Sequence, residues 1–245
     1  MLIYTNGCSH SDNHPSPEKT FVWPNQLMSG FTKSFNYYHQ QSFILPLTLS
    51  EIKTLNKNFL INGGISGASN DHIFHKSLES ICQLIEIDKK PDFVIIQWSG
   101  PNRREHCLLD GKSVFVNLKD NLQYHLKYEP MGSKHTIHYV YCMQKFLIDH
   151  DIPFYFFNYM AFDYTIRELE IYKKIDTDRF IDFGLKERTL FVGLIDFLKE
   201  RDFTRDEQGH ANELGNKFIA EKIMEKIKND PLNEKFVENY LSKLI

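Results

Sequence analysis

Apolar and polar positions follow two rhythms along this chain. Short, nearly continuous apolar runs recur at residues 1–5 (MLIYT), 58–63 (NFLING), 91–99 (PDFVIIQWS) and 152–160 (IPFYFFNYM). Runs of this length, bounded by glycine, proline or polar residues, predict buried strands. A continuous apolar centre is the pattern of a parallel sheet covered on both faces. Between these runs the spacing becomes helical. Residues 69–87 bring Ile73, Leu78, Ile81, Leu84 and Ile85 near one face, and Ser69 or Asn70 can cap the start. A short helix is predicted from Trp23 to about Gly30, and longer ones over 136–151 and 212–229, with another over 233–244. Helical pieces are expected across 163–200, the clearest at 187–200 (ERTLFVGLIDFLKE). Residues 100–135 have weak periodicity and predict a less regular stretch holding a local helix.

Strands separated by helices predict an α/β fold, with a mainly parallel sheet and right-handed crossovers. The sequence contains no repeat, low-complexity segment or linker, so one domain over 1–245 is expected. Residues 100–135 form a variable cap or substrate-binding insertion in this reading. Sites in such sheets form at the carboxyl ends of the strands. That rule selects the loops after Thr5, Asn62, Trp98 and Phe157.

Composition narrows the partners. A hydrophobic fraction of 42% and a charged fraction of 25% describe a globular chain rather than a disordered one. The formal charge of −3, with both signs mixed along the chain, gives no basic field for a nucleic acid. No apolar run approaches the roughly 18 residues of a membrane span. A basic segment followed by an apolar one is missing at the start, so no signal peptide is expected and a cytoplasmic setting follows. Cys8, Cys82, Cys107 and Cys142 form no CxxC pair, so neither a zinc motif nor a redox motif is indicated. With 20 Phe and 12 Tyr, the chain has a bulky core or an aromatic-lined cleft.

Chemistry gathers where the strands end. The first loop offers Gly7, Cys8, Ser9, His10 and Ser11, the second reads NGGISGASND and the third SGPNRRE, while RDEQGHANELG precedes the helix over 212–229. An unassisted serine hydroxyl is a poor nucleophile and needs an adjacent base. Histidine titrates near neutral pH and can take that proton. A carboxylate on the other ring nitrogen fixes the tautomer and stabilises the imidazolium.

This order of blocks resembles the SGNH (GDSL-like) hydrolase superfamily. Gly7-Cys8-Ser9 stands for the family's Gly-Asp-Ser, and Gly67 for its second-block glycine. Gly100 and Asn102 match Gly-x-Asn, and His210 matches the histidine of the final Asp-x-x-His. The resemblance spans Gly7 to His210. It implies a three-layer, flavodoxin-like α/β fold and a serine esterase, with a carbohydrate O-acetyl ester as one candidate substrate. Ser9 would be the nucleophile and His210 the base. The backbone N–H groups of Ser9 and Gly67 and the side-chain amide of Asn102 would meet the oxyanion. The chain departs from the pattern at Cys8, which replaces an aspartate, and at Ala211, where proline is frequent. The residue three before His210 is Glu207 and the one four before is Asp206, so either could orient the histidine. The third block also admits Ser99 in place of Asn102. A small-molecule or glycan acyl ester is the expected partner, with no metal or cofactor. His10, Asp12 and His14 invite a metal reading but find no further ligand in the sequence. The competing reading is a catalytically inactive domain of the same fold that binds a glycan or a protein. Nothing in the sequence fixes the oligomeric state.

Overall fold

Five strands, β1 (Leu2–Asn6), β2 (Asn36–His39), β3 (Phe59–Asn62), β4 (Phe93–Trp98) and β7 (Phe154–Asn158), form a parallel sheet in the order β2-β3-β1-β4-β7. The computed structural model describes residues 1–8, 11, 22–32, 34–40, 58–101, 103–107, 113–117, 122–181, 183, 193–205 and 209–238. Residues 104–107, 113–117, 122–130 and 235 are described in backbone alone. The register aligns the strands' carboxyl ends: Thr5 pairs with both Asn62 and Ile95, and Trp98 with Asn158. From β1 the chain goes to β2 at one edge, while from β4 it goes towards β7 at the other. The adjacent strands β1 and β4 therefore flank the switch point, at whose carboxyl end ligands bind in such sheets.

Alternation along each strand sends side chains to two cores. Tyr4, Ile61, Val94, Ile96, Trp98, Phe154 and Phe156 face α2 (Asn70–Glu86) and α3 (Leu122–Asp149). Ile3, Leu60, Phe93, Ile95, Tyr155 and Phe157 face α1 (Trp23–Phe31) and α5 (Glu213–Asn229), with α4 (Leu194–Glu200) beside them. Ile3, Tyr4 and the apolar centre of β4 are completely buried. Truncating one of these aliphatic side chains to alanine would cost roughly 2–5 kcal/mol. The helices on both faces make this a three-layer α/β fold, as the alternation of elements predicts.

Several elements depart from the periodicity. Strand β2 carries no apolar run; Asn36 is exposed and Tyr37, Tyr38 and His39 are half-buried. It forms by pairing with β3, with Tyr37 opposite Leu60. Within 100–135, β5 (Arg103–Cys107) and β6 (Ser113–Asn117) make a separate antiparallel ladder. Helix α3 then begins at Leu122 rather than near 136 and runs through Pro130 and Gly132. Proline and glycine disfavour a helix interior, so local propensity points to a later start than the structure has. Gly193 is extended, so the helix expected over 187–200 does not pass through it, and α4 starts at Leu194; residues 187–192 lie outside the described residues. Three 3-10 turns, Tyr164–Glu168, Tyr172–Lys174 and Thr177–Arg179, fill the middle of 163–200. In the last segment only α6 (Glu234–Phe236) is a described α-helix, and residues 239–245 are outside the description.

Candidate active site

At the end of β1 the chain turns sharply. Asn6 is buried there, and its amide donates to the Ile73 carbonyl (3.2 Å) and Ser77 Oγ (2.8 Å) of α2, while its Oδ1 accepts the Gly7 N–H (2.7 Å). The Ser11 N–H donates to the Cys8 carbonyl at 2.8 Å. Ser9 and His10 themselves lie outside the described residues. Ser11 is fully buried. Its hydroxyl hydrogen-bonds Gln97 Oε1 and accepts the Trp23 indole N–H (3.1 Å), and its carbonyl accepts the Asn62 amide (2.6 Å). Of the two serines in this loop, Ser11 is thus committed to the framework. Cys8 is buried too, its sulfur accepting the Gln97 amide N–H at 3.5 Å.

The loop after β3 is fastened along the same turn. Gly63 N–H donates to the Thr5 carbonyl (2.7 Å) and Ile65 N–H to the Gly7 carbonyl (3.1 Å). Gly64 passes so close that a Cβ there would lie 2.9 Å from the Ser11 backbone. Gly67 is half-buried with φ of 80°, a left-handed conformation that glycine adopts without steric cost. Asn70 does not cap α2, and Ser69, at the cap position, makes no side-chain capping bond either. The Asn70 amide instead grips the loop after β4. Its Oδ1 accepts the Ser99 N–H (2.6 Å), and its Nδ2 donates to the Ser99 carbonyl (3.0 Å) and to Thr136 Oγ1 (3.0 Å). Ser99 is buried, and its hydroxyl has no hydrogen-bond partner among the described residues. Arg103 N–H donates to the Gly100 carbonyl (3.2 Å). Asn102 lies outside the described residues.

His210 sits in a turn of its own. Arg205 N–H donates to the His210 carbonyl (2.7 Å), Asn212 N–H donates to the Phe203 carbonyl (2.9 Å), and Thr204 bridges Ala211. Asp206 and Glu207 lie outside the described residues. Gly209, at φ 83°, gives its carbonyl to the Tyr159 hydroxyl. Tyr159 directly follows β7, and its N–H donates to the Trp98 carbonyl (2.9 Å), so the turn docks beside the ends of β7 and β4. Asn212 caps α5 by accepting the Gly215 N–H (2.9 Å). One turn further, the Asn216 amide donates to the Ala211 carbonyl (3.1 Å), and its Oδ1 accepts the Trp23 N–H (2.9 Å). Since the Trp23 indole reaches Ser11, Trp23 links the His210 turn to the loop after β1 through one hydrogen bond at each of its two N–H groups.

Gly67 and His210 therefore stand on loops at the same carboxyl edge. Of the amides that hold these loops, Asn62 opens the Asn-x-x-x-x-Gly setting of the second block, while Asn70, Gln97 and Asn216 have no place in the family's blocks. Their only signal in the sequence is polarity within apolar surroundings: a buried amide must find partners. Among the described residues no group of three His, Cys, Asp or Glu side chains could hold a metal ion. His10, Asp12 and His14, which invite a metal reading in the first loop, lie outside the described residues. A cleft of about 610 Å³ between α1 and α5, lined by Gln26, Gly30, Lys217 and Met224 among others, follows the outer seam of these helices rather than the carboxyl edge.

No protein-family model matches the chain, and no curated protein matches it significantly. Among solved structures it is similar to the acetyl xylan esterase AlAXEase, with 14% identity over 92% of this chain and 98% of that one, at a TM-score of 0.47. It is also similar to the psychrotrophic esterase EstA from Pseudoalteromonas sp., with 12% identity over 93% and 96% of the two chains and a TM-score of 0.48. A lipase/acylhydrolase from Enterococcus faecalis shares 15% identity over 93% and 95%, at a TM-score of 0.42. The likeness is one of fold. No helix among the described residues is long and apolar enough to cross a membrane.

Proposed function

We propose that this SGNH-like chain is a serine esterase acting on small-molecule or glycan acyl esters, a carbohydrate O-acetyl ester being the first substrate to try. What supports the reading is the joining of its four loops. Ser11 in the loop after β1, the loop that carries Gly67, the loop after β4 and the His210 turn are tied together by buried hydrogen bonds at one edge of the sheet. In the reaction Ser9 Oγ attacks the acyl carbon while His210 takes its proton. The oxyanion is met by the backbone N–H groups of Ser9 and Gly67 and by the Asn102 amide, or by Ser99 in its place. One such donor is worth roughly 3–4 kcal/mol. The intermediate collapses with loss of the alkoxide, which takes the proton from His210 and leaves an acyl-Ser9 ester. Water then attacks that ester as His210 accepts its proton, releasing the acid and restoring Ser9. Asp206 or Glu207 orients the imidazole.

The test is labelling with a fluorophosphonate. The protein should label at Ser9 and hydrolyse p-nitrophenyl acetate, and Ser9→Ala and His210→Ala should lose both. No labelling at Ser9, with no turnover, would leave a binding domain of the same fold as the better reading.

A further inference from the structure

We propose that Asn216 is a positioning residue for this reaction, fixing through Trp23 the spacing between the His210 turn and Ser11, two positions beyond Ser9 in sequence. The inference rests on the esterase reading. Asn216 lies in α5, six positions after His210, and is 6% exposed. Both of its amide hydrogens are used, on the carbonyls of Ala211 (3.1 Å) and Asn212 (3.0 Å). Its oxygen accepts the N–H of Trp23, the first residue of α1. That N–H has no partner within its own helix, and α1 makes no side-chain capping bond at Val22. Asn216 therefore serves one helix start from another, across 193 positions of sequence.

The strut is stiff beyond this point. The Trp23 ring meets Phe157 edge-on, with centroids 5.3 Å apart, and its indole N–H donates to Ser11 Oγ (3.1 Å). Ser11 in turn closes on the Cys8 carbonyl at 2.8 Å. Apolar packing could hold α5 on the sheet without any of this, since Ile219, Ile223 and Ile227 are buried against the same face. Such packing is non-directional and fixes a face rather than a position. Hydrogen bonds are directional and fix the position. A base and nucleophile on turns this far apart in sequence need that positional control, because a misplacement of about 1 Å can cost roughly 100-fold in rate.

The experiment compares Asn216→Leu, Trp23→Phe and Ile223→Val with the unaltered protein. Each is assayed for kcat and KM on p-nitrophenyl acetate, for the rate of fluorophosphonate labelling at Ser9, and for Tm. Asn216→Leu should lower kcat and the labelling rate together by about 10- to 100-fold, with KM changed less than about twofold. Trp23→Phe keeps an aromatic ring against Phe157 but lacks the indole donor. It should shift kcat the same way, and it carries the test if Asn216→Leu does not fold. Ile223→Val destabilises the same helix without touching the strut, so it should lower Tm and leave kcat alone. Unchanged kcat in folded Asn216→Leu or in Trp23→Phe, with Ser9→Ala and His210→Ala inactive, overturns the inference and leaves the esterase reading standing. A loss of kcat in Ile223→Val as large as in Asn216→Leu also overturns it. If the unaltered protein neither labels nor turns over ester, both fall together.

Discussion

Removing the Asn70 side chain should release the loop after β4 from the start of α2. Asn70 is 1% exposed and Ser99 is wholly buried. The Asn70→Ala substitution strips partners from the Ser99 N–H, the Ser99 carbonyl and Thr136 Oγ1 together. Thr136 still donates to the Gly132 carbonyl at 2.8 Å, so its hydroxyl is the least affected. A buried backbone group left without a partner costs about 1–3 kcal/mol. Two such groups set a range of about 2–6 kcal/mol, and water entering the vacated space favours its lower half. For a chain of this size the expected fall in Tm is about 5–15 °C. Asn70→Asp separates hydrogen bonding from volume. The new carboxylate can still accept the Ser99 N–H, but its second oxygen faces the Ser99 carbonyl and Thr136 Oγ1. A negative charge in the first turn of α2 gains about 0.3–1 kcal/mol from the helix dipole. That is less than the cost of two lost donor bonds, so the charged form is disfavoured and the folded pKa should rise above the unfolded value of about 3.9. A raised pKa contributes stability below the unfolded pKa and loses it as pH rises through the folded one. Asn70→Asp should therefore come closest to the unaltered protein near pH 4 and fall furthest behind it at neutral pH. Urea unfolding followed by circular dichroism measures both effects. A cost below roughly 1 kcal/mol for Asn70→Ala, or a pH-independent deficit for Asn70→Asp, would refute the reasoning.

Two further outcomes concern stability away from the site. Burial pushes the Asp230 carboxyl up, but the Tyr155 hydroxyl, the Leu232 N–H and the charges of Arg179 and Lys226 outweigh it and hold the group below the ordinary carboxylate value. Its contribution is thus present above the unfolded pKa and lost as pH falls through the folded one. Asp230→Asn should lower Tm at neutral pH and flatten the acid arm of the stability curve; an unchanged acid arm would contradict this. Asp88 follows α2 at φ 58°, a conformation that costs most L-residues roughly 1–2 kcal/mol. Asp88→Gly should stay within about 0.5 kcal/mol of the unaltered protein, whereas Asp88→Val should lose more than about 1 kcal/mol in the same urea titration; equal costs would count against backbone strain as the cause.

The four strands that could be read from the sequence are those with both neighbours or both faces covered. Residues 2–6, 59–62, 93–98 and 154–158 are apolar because helices lie above and below them. β2 escaped the same reading because its side chains are exposed or only half-buried, so it carries no apolar run. The early start of α3 was hidden by Pro130 and Gly132, whose local preference the rest of the helix overrides. The site divided in the same way. Its turns were legible because tight turns and close approaches demand glycine and small residues at fixed places, as at Gly64 and Gly67. Its braces were not. Asn70 and Asn216 look locally like ordinary polar residues of a helix's first turns, yet their partners lie 29, 66 and 193 positions away.

One regularity could have pointed to the braces. β1 ends on Asn6, β3 ends on Asn62, β4 carries Gln97 one residue from its end, and β7 ends on Asn158. All four amides are buried. Apolar residues at these positions would suit a parallel sheet better, because an amide taken out of water costs about 1–3 kcal/mol unless it is hydrogen-bonded. Asn6, Asn62 and Gln97 find their bonds in the loops beyond the strands or in the helix beside them: Asn6 on α2, Asn62 on Ser11 and Gly64, Gln97 on Ser11 and Cys8. A row of amides at one end of a sheet is therefore a row of anchors for loops, and the loops they anchor are the ones that carry Ser9 and Gly67. Local rules of burial are broken here because the loops must be held, which is where a sequence departs from the most stable choice for its fold. Amides that close successive apolar strands thus mark the carboxyl edge, before any motif is matched, as the edge where the loops are anchored.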